Sequence, residues 1–269
     1  HAEVNLVPVN LAAIVPDDVN FEEACFGTLA AIALHGVRNL SLQLGDWAAV
    51  IGVGLVGQLA VQLLDLAGVR VVAFDYDNDR LDLARFGRAE MVWNLADGDP
   101  ARAVDDATAG HGVGGVLIAA ATETAEPFSL AAAIARDRAR ISLVGLTGTE
   151  IPYRAFMEKE LSVVVSRSYG PGRYDSDYES RDMAYPPGYV PWTETRNLAE
   201  AVRLFAWGDD PWRALTAALK EATGRKGKQL FLPLRQALTG MDHGPDMGEL
   251  LPLIGEARAR ERLEAAAQA

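Results

Sequence analysis

The chain contains a single cysteine, Cys25, among its 269 residues. One cysteine excludes a disulfide within the chain and a cysteine-rich structural zinc site. The four histidines, His1, His35, His111 and His243, are scattered without the spacing typical of metal ligands, so we expect no metal. No apolar run approaches the roughly 18 residues of a membrane helix, and the start of the chain lacks the pattern of a signal peptide. These absences predict a cytoplasmic protein with no membrane contact.

Positive charge is also scarce. The formal net charge is −12, which argues against DNA or RNA as the main partner of the chain. The charge is uneven, because residues 1–210 contain 16 Lys+Arg against 30 Asp+Glu, whereas residues 211–269 contain 9 against 7. The change coincides with the turn-rich segment 208–211, so it indicates either a domain boundary or a basic patch on one domain.

Segments rich in Val and Ile alternate with helical patterns from residue 47 onward, which predicts a parallel sheet covered by helices on both faces. The predicted fold class is α/β, a Rossmann-type doubly wound parallel sheet followed by a small all-helical C-terminal segment. The predicted strands are 47–51, 69–74, 90–93, 115–119, 139–144 and 161–165. The predicted helices of this region are 55–67, 78–86, 100–109, 125–135 and 194–207.

The remaining segments show other patterns. Residues 4–9 alternate and predict a short strand, and the acidic pair Glu22 and Glu23 indicates the start of a helix that runs to about Arg38. Residues 166–193 are rich in Tyr, Gly and Pro, and a structureless stretch of this length is usually functional or an interface. Beyond residue 211 we expect only helices, at about 211–222, 229–237, 246–254 and 256–266.

The segment VIGVGLVG carries the spacing Gly-x-Gly-x-x-Gly between a predicted strand and a predicted helix. Gly52 permits a tight turn, Gly54 lets the backbone approach a pyrophosphate, and Gly57 lets the helix pack closely on the strand. The amide groups at the start of the helix, at Leu55 and Val56, offer hydrogen bonds and a positive dipole end to phosphate. This spacing predicts a dinucleotide-binding turn.

Asp75 ends the next predicted strand, 18 residues after Gly57. A carboxylate at this place accepts hydrogen bonds from the ribose hydroxyls and repels a 2′-phosphate, which predicts NAD(H) as the cofactor. Asp77 is a weaker candidate because it is well placed to cap the following helix. A strand–helix–strand unit with a glycine turn and no ligand remains the alternative.

Residues 1–207 resemble the medium-chain dehydrogenase/reductase superfamily, the relatives of zinc alcohol dehydrogenases. The resemblance rests on FEEACFGTLAAIALHGVR at 21–38, the glycine turn, FDYDNDRLDLA at 74–84 and SRSYGPGRYD at 166–175. The last segment, with YVPWTE at 189–194, is similar to bacterial oxidoreductases in which such a module is fused to a second oxidoreductase domain. The resemblance implies an NAD(H)-binding module for hydride transfer to or from a carbonyl or alcohol substrate.

The resemblance also implies roles for residues outside the glycine turn. It implies that Thr28 approaches the nicotinamide and that Ala121, Thr122 and Gly145, in the strand ends 120–122 and 144–146, line the cofactor cleft. A Thr28 that only bonds a backbone carbonyl of its helix is the alternative. Because sheet edges of this family often pair between subunits, the resemblance makes strand 161–165 a candidate homodimer edge.

In this family a GroES-like substrate domain precedes the Rossmann domain, and residues 1–20 resemble only its tail. The family's zinc ligands come mostly from that domain, so no catalytic residue is assigned and little or no turnover is expected. Cys25 is expected to be a small buried hydrophobe rather than a reactive thiol. His35, beside Gly36, is expected to cap or pack at a helix end.

Residues 211–269 resemble instead the C-terminal end of the anticodon-binding domain of bacterial glutamyl-tRNA synthetases. The segments on which this resemblance rests are PW at 211–212, TGRKGK at 223–228, PLRQALTG at 233–240, GP at 244–245 and LIG at 253–255. The resemblance implies tRNA as an alternative partner, with phosphate contacts from Arg225, Lys226, Lys228 and Arg235. A basic helical surface that only keeps the segment soluble is the alternative.

The synthetase active-site motifs HIGH and KMSKS are absent, so aminoacylation is not expected. Together the two resemblances predict three regions: a substrate-domain remnant at 1–20, an NAD-binding domain at 21–207 and a helical synthetase-like segment at 211–269. The join near 208–211 is open to interpretation as a natural fusion, an engineered chimera or a sequence-assembly join.

Overall fold

The computed structural model describes residues 4–17, 19, 21–181, 183–205, 228–242, 247, 259, 262–263 and 265–266. The chain divides into two compact units, His1–Phe205 and Ala206–Ala269.

A parallel sheet of six strands forms the centre of the first unit, in the order β3-β2-β1-β4-β5-β6. The strands are β1 (Trp47–Ile51), β2 (Arg70–Asp75), β3 (Met91–Asn94), β4 (Val113–Ile118), β5 (Ala135–Leu143) and β6 (Ser162–Val165). The strand order reverses direction between β1 and β4, and open α/β sheets bind ligands in the crevice that this reversal creates at the carboxyl ends. The predicted doubly wound parallel sheet is confirmed.

Helices cover both faces of this sheet, and a short 3-10 helix (Val9–Leu11) precedes them. The helices are α1 (Phe21–Ala24), α2 (Gly27–Leu40), α3 (Leu55–Leu66), α4 (Asn78–Phe86), α5 (Pro100–Ala107), α6 (Glu126–Ile134), α7 (Tyr153–Glu158), α8 (Ser176–Arg181) and α9 (Glu194–Phe205). Asp99 caps α5 as predicted, because its carboxylate accepts hydrogen bonds from the amides of Ala101 and Arg102.

Two hydrophobic clusters fill the space between the sheet and its helices. Alternate residues of one strand belong to different clusters: Ala48 and Val50 pack with α2, α3 and α4, whereas Ala49 and Ile51 pack with α5, α6 and α7. This alternation follows from the two-residue period of a strand. It explains why the strands read as continuous apolar runs in the sequence.

The predicted strand at residues 4–9 is wrong. These residues pair with no strand of the six-stranded sheet, and the segment instead ends in the 3-10 helix. Asn10 holds it in place, because its side chain donates a hydrogen bond of 2.7 Å to the carbonyl of Tyr178 and its own carbonyl accepts one from the Thr195 hydroxyl. An alternating pattern predicts a strand only where a neighbouring strand is available to pair with it.

The single helix predicted from Glu22 to Arg38 is divided into α1 and α2. The second helix begins at Gly27, where a Cβ atom would lie only 2.8 Å from Cγ2 of Val202 in α9. The close approach of α9 at this glycine is a tertiary contact that helix periodicity does not reveal.

Two short helices lie where the sequence predicted none. Helix α7 follows β5, and α8 lies inside the tyrosine-rich stretch 166–193, which is therefore not structureless. Asp175 begins α8 by accepting hydrogen bonds from the amides of Asp177 and Tyr178, a capping arrangement that aspartate often makes. Tyr169 of the same stretch packs against a cluster of buried residues from α2 and α9.

The second unit contains α10 (Lys228–Thr239), in which Leu230 and Leu238 are buried. The Arg262 guanidinium donates a hydrogen bond to the carbonyl of Leu238 and so joins two parts of this unit. Helix α10 agrees with the helix predicted at 229–237. The predicted helix 211–222 lies outside the described residues, as does most of the chain predicted to be helical at 246–254 and 256–266.

Candidate functional site

The turn after β1 requires glycine at its first position. Gly52 has a φ of 85°, and its amide donates a hydrogen bond of 2.8 Å to the carbonyl of Phe74 in the neighbouring strand. A Cβ atom at Gly52 would lie 2.7 Å from the Cα atom of Ala120. The turn is therefore pressed against the end of β4 at the crevice.

The next two glycines, Gly54 and Gly57, lie at the start of helix α3 and differ in their surroundings. At Gly57 a Cβ atom would lie 2.1 Å from the carbonyl oxygen of Gly52, so this glycine lets the helix contact the turn. At Gly54 a Cβ atom would meet nothing within 4 Å. Gly54 is the N-cap of α3 and no side chain caps the helix, so the amide groups at Leu55 and Val56 are available to an anion.

The carboxylate of Asp75 lies directly beside this turn. Its Oδ2 atom accepts a hydrogen bond of 2.9 Å from the amide of Val53, and its Oδ1 atom accepts bonds of 2.8 and 3.1 Å from the amides of Tyr76 and Asp77. A carboxylate has about four acceptor positions, so these three bonds leave about one position for a ribose hydroxyl. The hydrogen-bonded position links the carboxylate rigidly to the phosphate turn.

Arg80 lies near this carboxylate at the start of α4. Its guanidinium is 3.9 Å from Oδ2 of Asp75 and 3.5 Å from Oδ2 of Asp77. Asp77 caps α4 as predicted, because its side chain accepts bonds from the amides of Asp79 and Arg80. Two carboxylates and one guanidinium therefore surround the carboxyl end of β2.

The ends of β4 and β5 extend the same crevice. Ala121 forms a parallel bridge with Leu146, and the amide of Thr122 donates a hydrogen bond of 2.9 Å to the carbonyl of Leu146. A Cβ atom at Gly145 would lie 2.1 Å from the carbonyl oxygen of Ala120, so glycine is needed for this approach. Because Ala120 also touches Gly52, three strand ends meet at one place, with Ala121, Thr122 and Gly145 beside it.

The other residues predicted near the cofactor lie in or before α2. Thr28 is exposed in the first turn of α2, and its approach to a nicotinamide stays a prediction. Cys25 is exposed, which corrects the expectation of a small buried hydrophobe, because α1 ends just before it. His35 lies inside α2 and not at its end, and its pKa is lowered by burial and by the charges of Arg38 and Arg167.

No pattern in the sequence indicated a buried acid in the segment that follows β6. Glu194 is completely buried at the start of α9, and neither of its carboxylate oxygens accepts a hydrogen bond of normal geometry. Burial raises the pKa of Glu194, while the nearby Tyr169 hydroxyl acts in the opposite direction. The pKa of Tyr169 is raised to about 12, first by its own burial and then by Glu194. Tyr169 packs against a cluster of buried residues from α2 and α9, and Glu194 is the first residue of α9.

The predicted RNA-contact residues are only partly described. Arg225 and Lys226 lie outside the described residues, and Lys228 is described only as the first residue of α10. Arg235 lies in α10 and is half-buried. Their contact with RNA stays a prediction.

The comparisons with known proteins point to two sources of similarity. Residues 56–181 match the family described as zinc-binding dehydrogenase, and residues 193–267 match the anticodon binding domain. Alcohol dehydrogenase TADH from Thermus sp. ATN1 is 24% identical, with a TM-score of 0.58 over 72% of this chain and 50% of that one. A putative zinc-binding dehydrogenase from Sinorhizobium meliloti, solved with NADP bound, is 22% identical, with a TM-score of 0.57 over 72% and 51%.

A zinc-binding family raises the question whether this chain supplies zinc ligands. Among the described residues, no group of three or more His, Cys, Asp or Glu side chains could hold a metal ion. His35 is close to Arg38 and Arg167, whose positive charges disfavour a bound cation. The described residues therefore do not fit a catalytic zinc site, and no chemical step is assigned to zinc. In the same described part, no helix is long and apolar enough to cross a membrane, and a cytoplasmic location stays a prediction.

The second similarity is closer in sequence but shorter. Glutamate–tRNA ligase 2 of Erythrobacter litoralis is 76% identical over 70 residues, which are 26% of this chain and 16% of that protein. The chain thus spans about half of the similar dehydrogenase structures and about a sixth of this ligase. Residues 56–181 are thus similar to zinc-binding dehydrogenases, and residues 193–267 are similar to anticodon binding domains, with glutamate–tRNA ligases among the similar proteins.

Proposed function

We propose that residues 21–207 bind NAD(H) and act as the cofactor-binding module of a medium-chain oxidoreductase. One observation carries the proposal. The turn before α3, a helix start that no side chain caps, is bound to the carboxylate at the end of β2 by the hydrogen bond from the Val53 amide to Asp75. A dinucleotide needs both groups, because its pyrophosphate binds at a helix start and its ribose hydroxyls bind a carboxylate. The similarity to zinc-binding dehydrogenases supports this assignment.

In the proposed complex the pyrophosphate lies over Gly54 and accepts hydrogen bonds from the amides of Leu55 and Val56. The nicotinamide extends toward Ala121, Thr122 and Gly145, with Thr28 near its ring. When bound, the cofactor supplies hydride exchange at nicotinamide C4 with a carbonyl or alcohol carbon, and the protein orients the ring. No proton donor is assigned among the described residues, so we propose cofactor binding with little turnover by this chain alone.

The charges around the ribose position favour NAD(H) over NADP(H). Asp75 and Asp77 together outnumber the single guanidinium of Arg80, so a 2′-phosphate would be repelled. The S. meliloti relative was solved with NADP, so cofactor preference has to be measured directly on this chain. We expect NADH to bind at least about tenfold more tightly than NADPH, a difference of about 1.4 kcal/mol.

Fluorescence titration of the purified chain with each cofactor tests this preference. Asp75→Asn should weaken NADH binding about tenfold and reduce the preference for NADH, because it removes a charge-assisted hydrogen bond and a repulsive charge. Asp77→Asn tests the second charge alone, since asparagine also caps helices, and it should lower the preference for NADH while leaving NADH affinity unchanged. Equal affinity of the unaltered chain for both cofactors would remove Asp75 from its role.

We also propose that the first unit forms a homodimer through β6. This strand is an edge of the sheet, and Val163 and Val165 on it are 38% and 71% exposed. An exposed apolar edge strand readily pairs with another strand. Light scattering should give the mass of a dimer, and Val165→Arg should shift it toward the monomer. A monomeric mass for the unaltered chain contradicts the proposal.

A tRNA-binding function for residues 211–269 is the second candidate, because this segment shares 76% identity with a glutamate–tRNA ligase over 70 residues. The basic residues Arg225, Lys226, Lys228 and Arg235 are the proposed phosphate contacts. Filter binding with tRNA at several salt concentrations separates this function from NAD(H) binding. A tRNA affinity that does not change with salt rules out phosphate contacts.

A further inference from the structure

The side chain of Gln58 connects two turns that a dinucleotide would contact together. Its Nε2 atom donates a hydrogen bond of 2.9 Å to the carbonyl of Val53 in the phosphate turn. The same atom donates a bond of 2.7 Å to the carbonyl of Arg80 at the start of α4. One amide group therefore joins the phosphate turn and the start of α4 to the first turn of α3.

Val53 is the common point of this arrangement. Its amide donates to Asp75 and its carbonyl accepts from Gln58, so side chains bind both polar groups of this residue. The Val53 side chain is fully buried in the sheet core, so the turn has little freedom to shift as a whole. If the Val53 carbonyl loses this donor, a partly buried polar group is left without a hydrogen bond, which costs free energy.

We propose that Gln58 is a positioning residue that fixes the phosphate turn relative to the carboxylate of Asp75. The proposal rests on the proposed function, because the fixed distance matters for a ligand that binds both groups. A pyrophosphate and a ribose are covalently joined, so a small displacement of one binding group weakens the hold on both. Gln58 itself need not touch the cofactor.

The test compares Gln58→Met with Gln62→Met. Methionine matches the length of glutamine but cannot donate two hydrogen bonds. Gln62 is exposed one turn further along α3 and donates only to the carbonyl of Gln58, at 3.3 Å, so its replacement leaves both turns intact. Thermal unfolding establishes that both variants are folded.

Binding of NADH, ADP and adenosine is then measured for each protein. Gln58→Met should weaken NADH and ADP about five- to tenfold, the size of one or two modest hydrogen bonds. Adenosine, which lacks phosphate, should bind as it does to the unaltered chain, and Gln62→Met should leave all three affinities unchanged. A purely structural role would weaken all three ligands alike or none of them, and either result overturns the proposal.

Amide hydrogen exchange without nucleotide gives a second, independent readout. Gln58→Met should accelerate exchange at the Val53 amide several-fold, and Gln62→Met should not. Failure of the unaltered chain to bind NADH would reject the proposed function, and the exchange rates would then decide alone whether Gln58 holds the turn. Equal exchange at Val53 in all three proteins overturns that link.

Discussion

Adding one methyl group at Gly54 or at Gly57 should separate cofactor binding from folding. Gly54 has φ −66° and ψ −169°, a conformation open to alanine, and a Cβ atom there meets nothing within 4 Å. Gly54→Ala should therefore fold normally and gain about 0.4–1 kcal/mol of stability, because alanine restricts the unfolded chain. The new methyl group occupies the space proposed for the pyrophosphate, so NADH affinity should fall at least about tenfold, or 1.4 kcal/mol.

Gly57→Ala should act on both properties. Its Cβ atom would lie 2.1 Å from the carbonyl oxygen of Gly52, and no side-chain rotation can move either atom. The turn and α3 must separate, at a cost of about 1–3 kcal/mol, which is typical of overpacking. Stability and NADH affinity should therefore fall together.

Urea unfolding and NADH fluorescence titration measure the two effects on the same preparations. The contrast between the variants is the decisive result, since only Gly54→Ala should lose binding without losing stability. An alanine variant at Gly54 that binds NADH as tightly as the unaltered chain would refute the assignment of this turn to pyrophosphate.

Three further predictions concern stability. Lys159→Met should lower the free energy of unfolding in urea by about 1–3 kcal/mol, because the ammonium donates to three backbone carbonyls at the end of α6. Asp99→Ala should cost about 1 kcal/mol in the same assay through loss of the α5 cap. Because the pKa of Glu194 is raised by burial, its folded form holds the proton more tightly, and stability should fall as pH rises from about 4.5 through the raised value. Glu194→Gln should therefore be more stable than the unaltered chain at neutral pH and show no advantage below pH 4.5; an advantage independent of pH would contradict this explanation.

Much of the sheet could be predicted from the sequence because parallel strands buried on both faces leave a strong apolar pattern. The predicted strands agree with the structure at the centre, but β5 begins at Ala135 and the prediction began it at residue 139. The register of β4 and β5 is irregular between Val113 and Gly115. Val113 pairs with Ala135 and Gly115 pairs with Arg140, so the register skips residues 136–139 of β5. Such an irregularity depends on the partner strand, so periodicity within one segment cannot reveal it.

Local chemistry predicted some features of the candidate site and missed others. The caps at Asp77 and Asp99 could be predicted because an N-cap bonds amides only two or three residues away. The burial of Glu194 and the exposure of Cys25 could not, because each depends on which distant element covers the residue. The link from Gln58 to Arg80 joins residues 22 positions apart and leaves no pattern in the sequence.

Short-range spacing and the burial of whole segments were enough to predict the α/β class, the glycine turn and the position of Asp75 after the second strand. How these parts meet depends on the three-dimensional fold. It brings Gly52, Ala120 and Gly145 into backbone contact, and it joins the Asp75 carboxylate to the amide of Val53. The physical reason is that these contacts link the ends of different strands, and their geometry follows from the order of strands in the sheet.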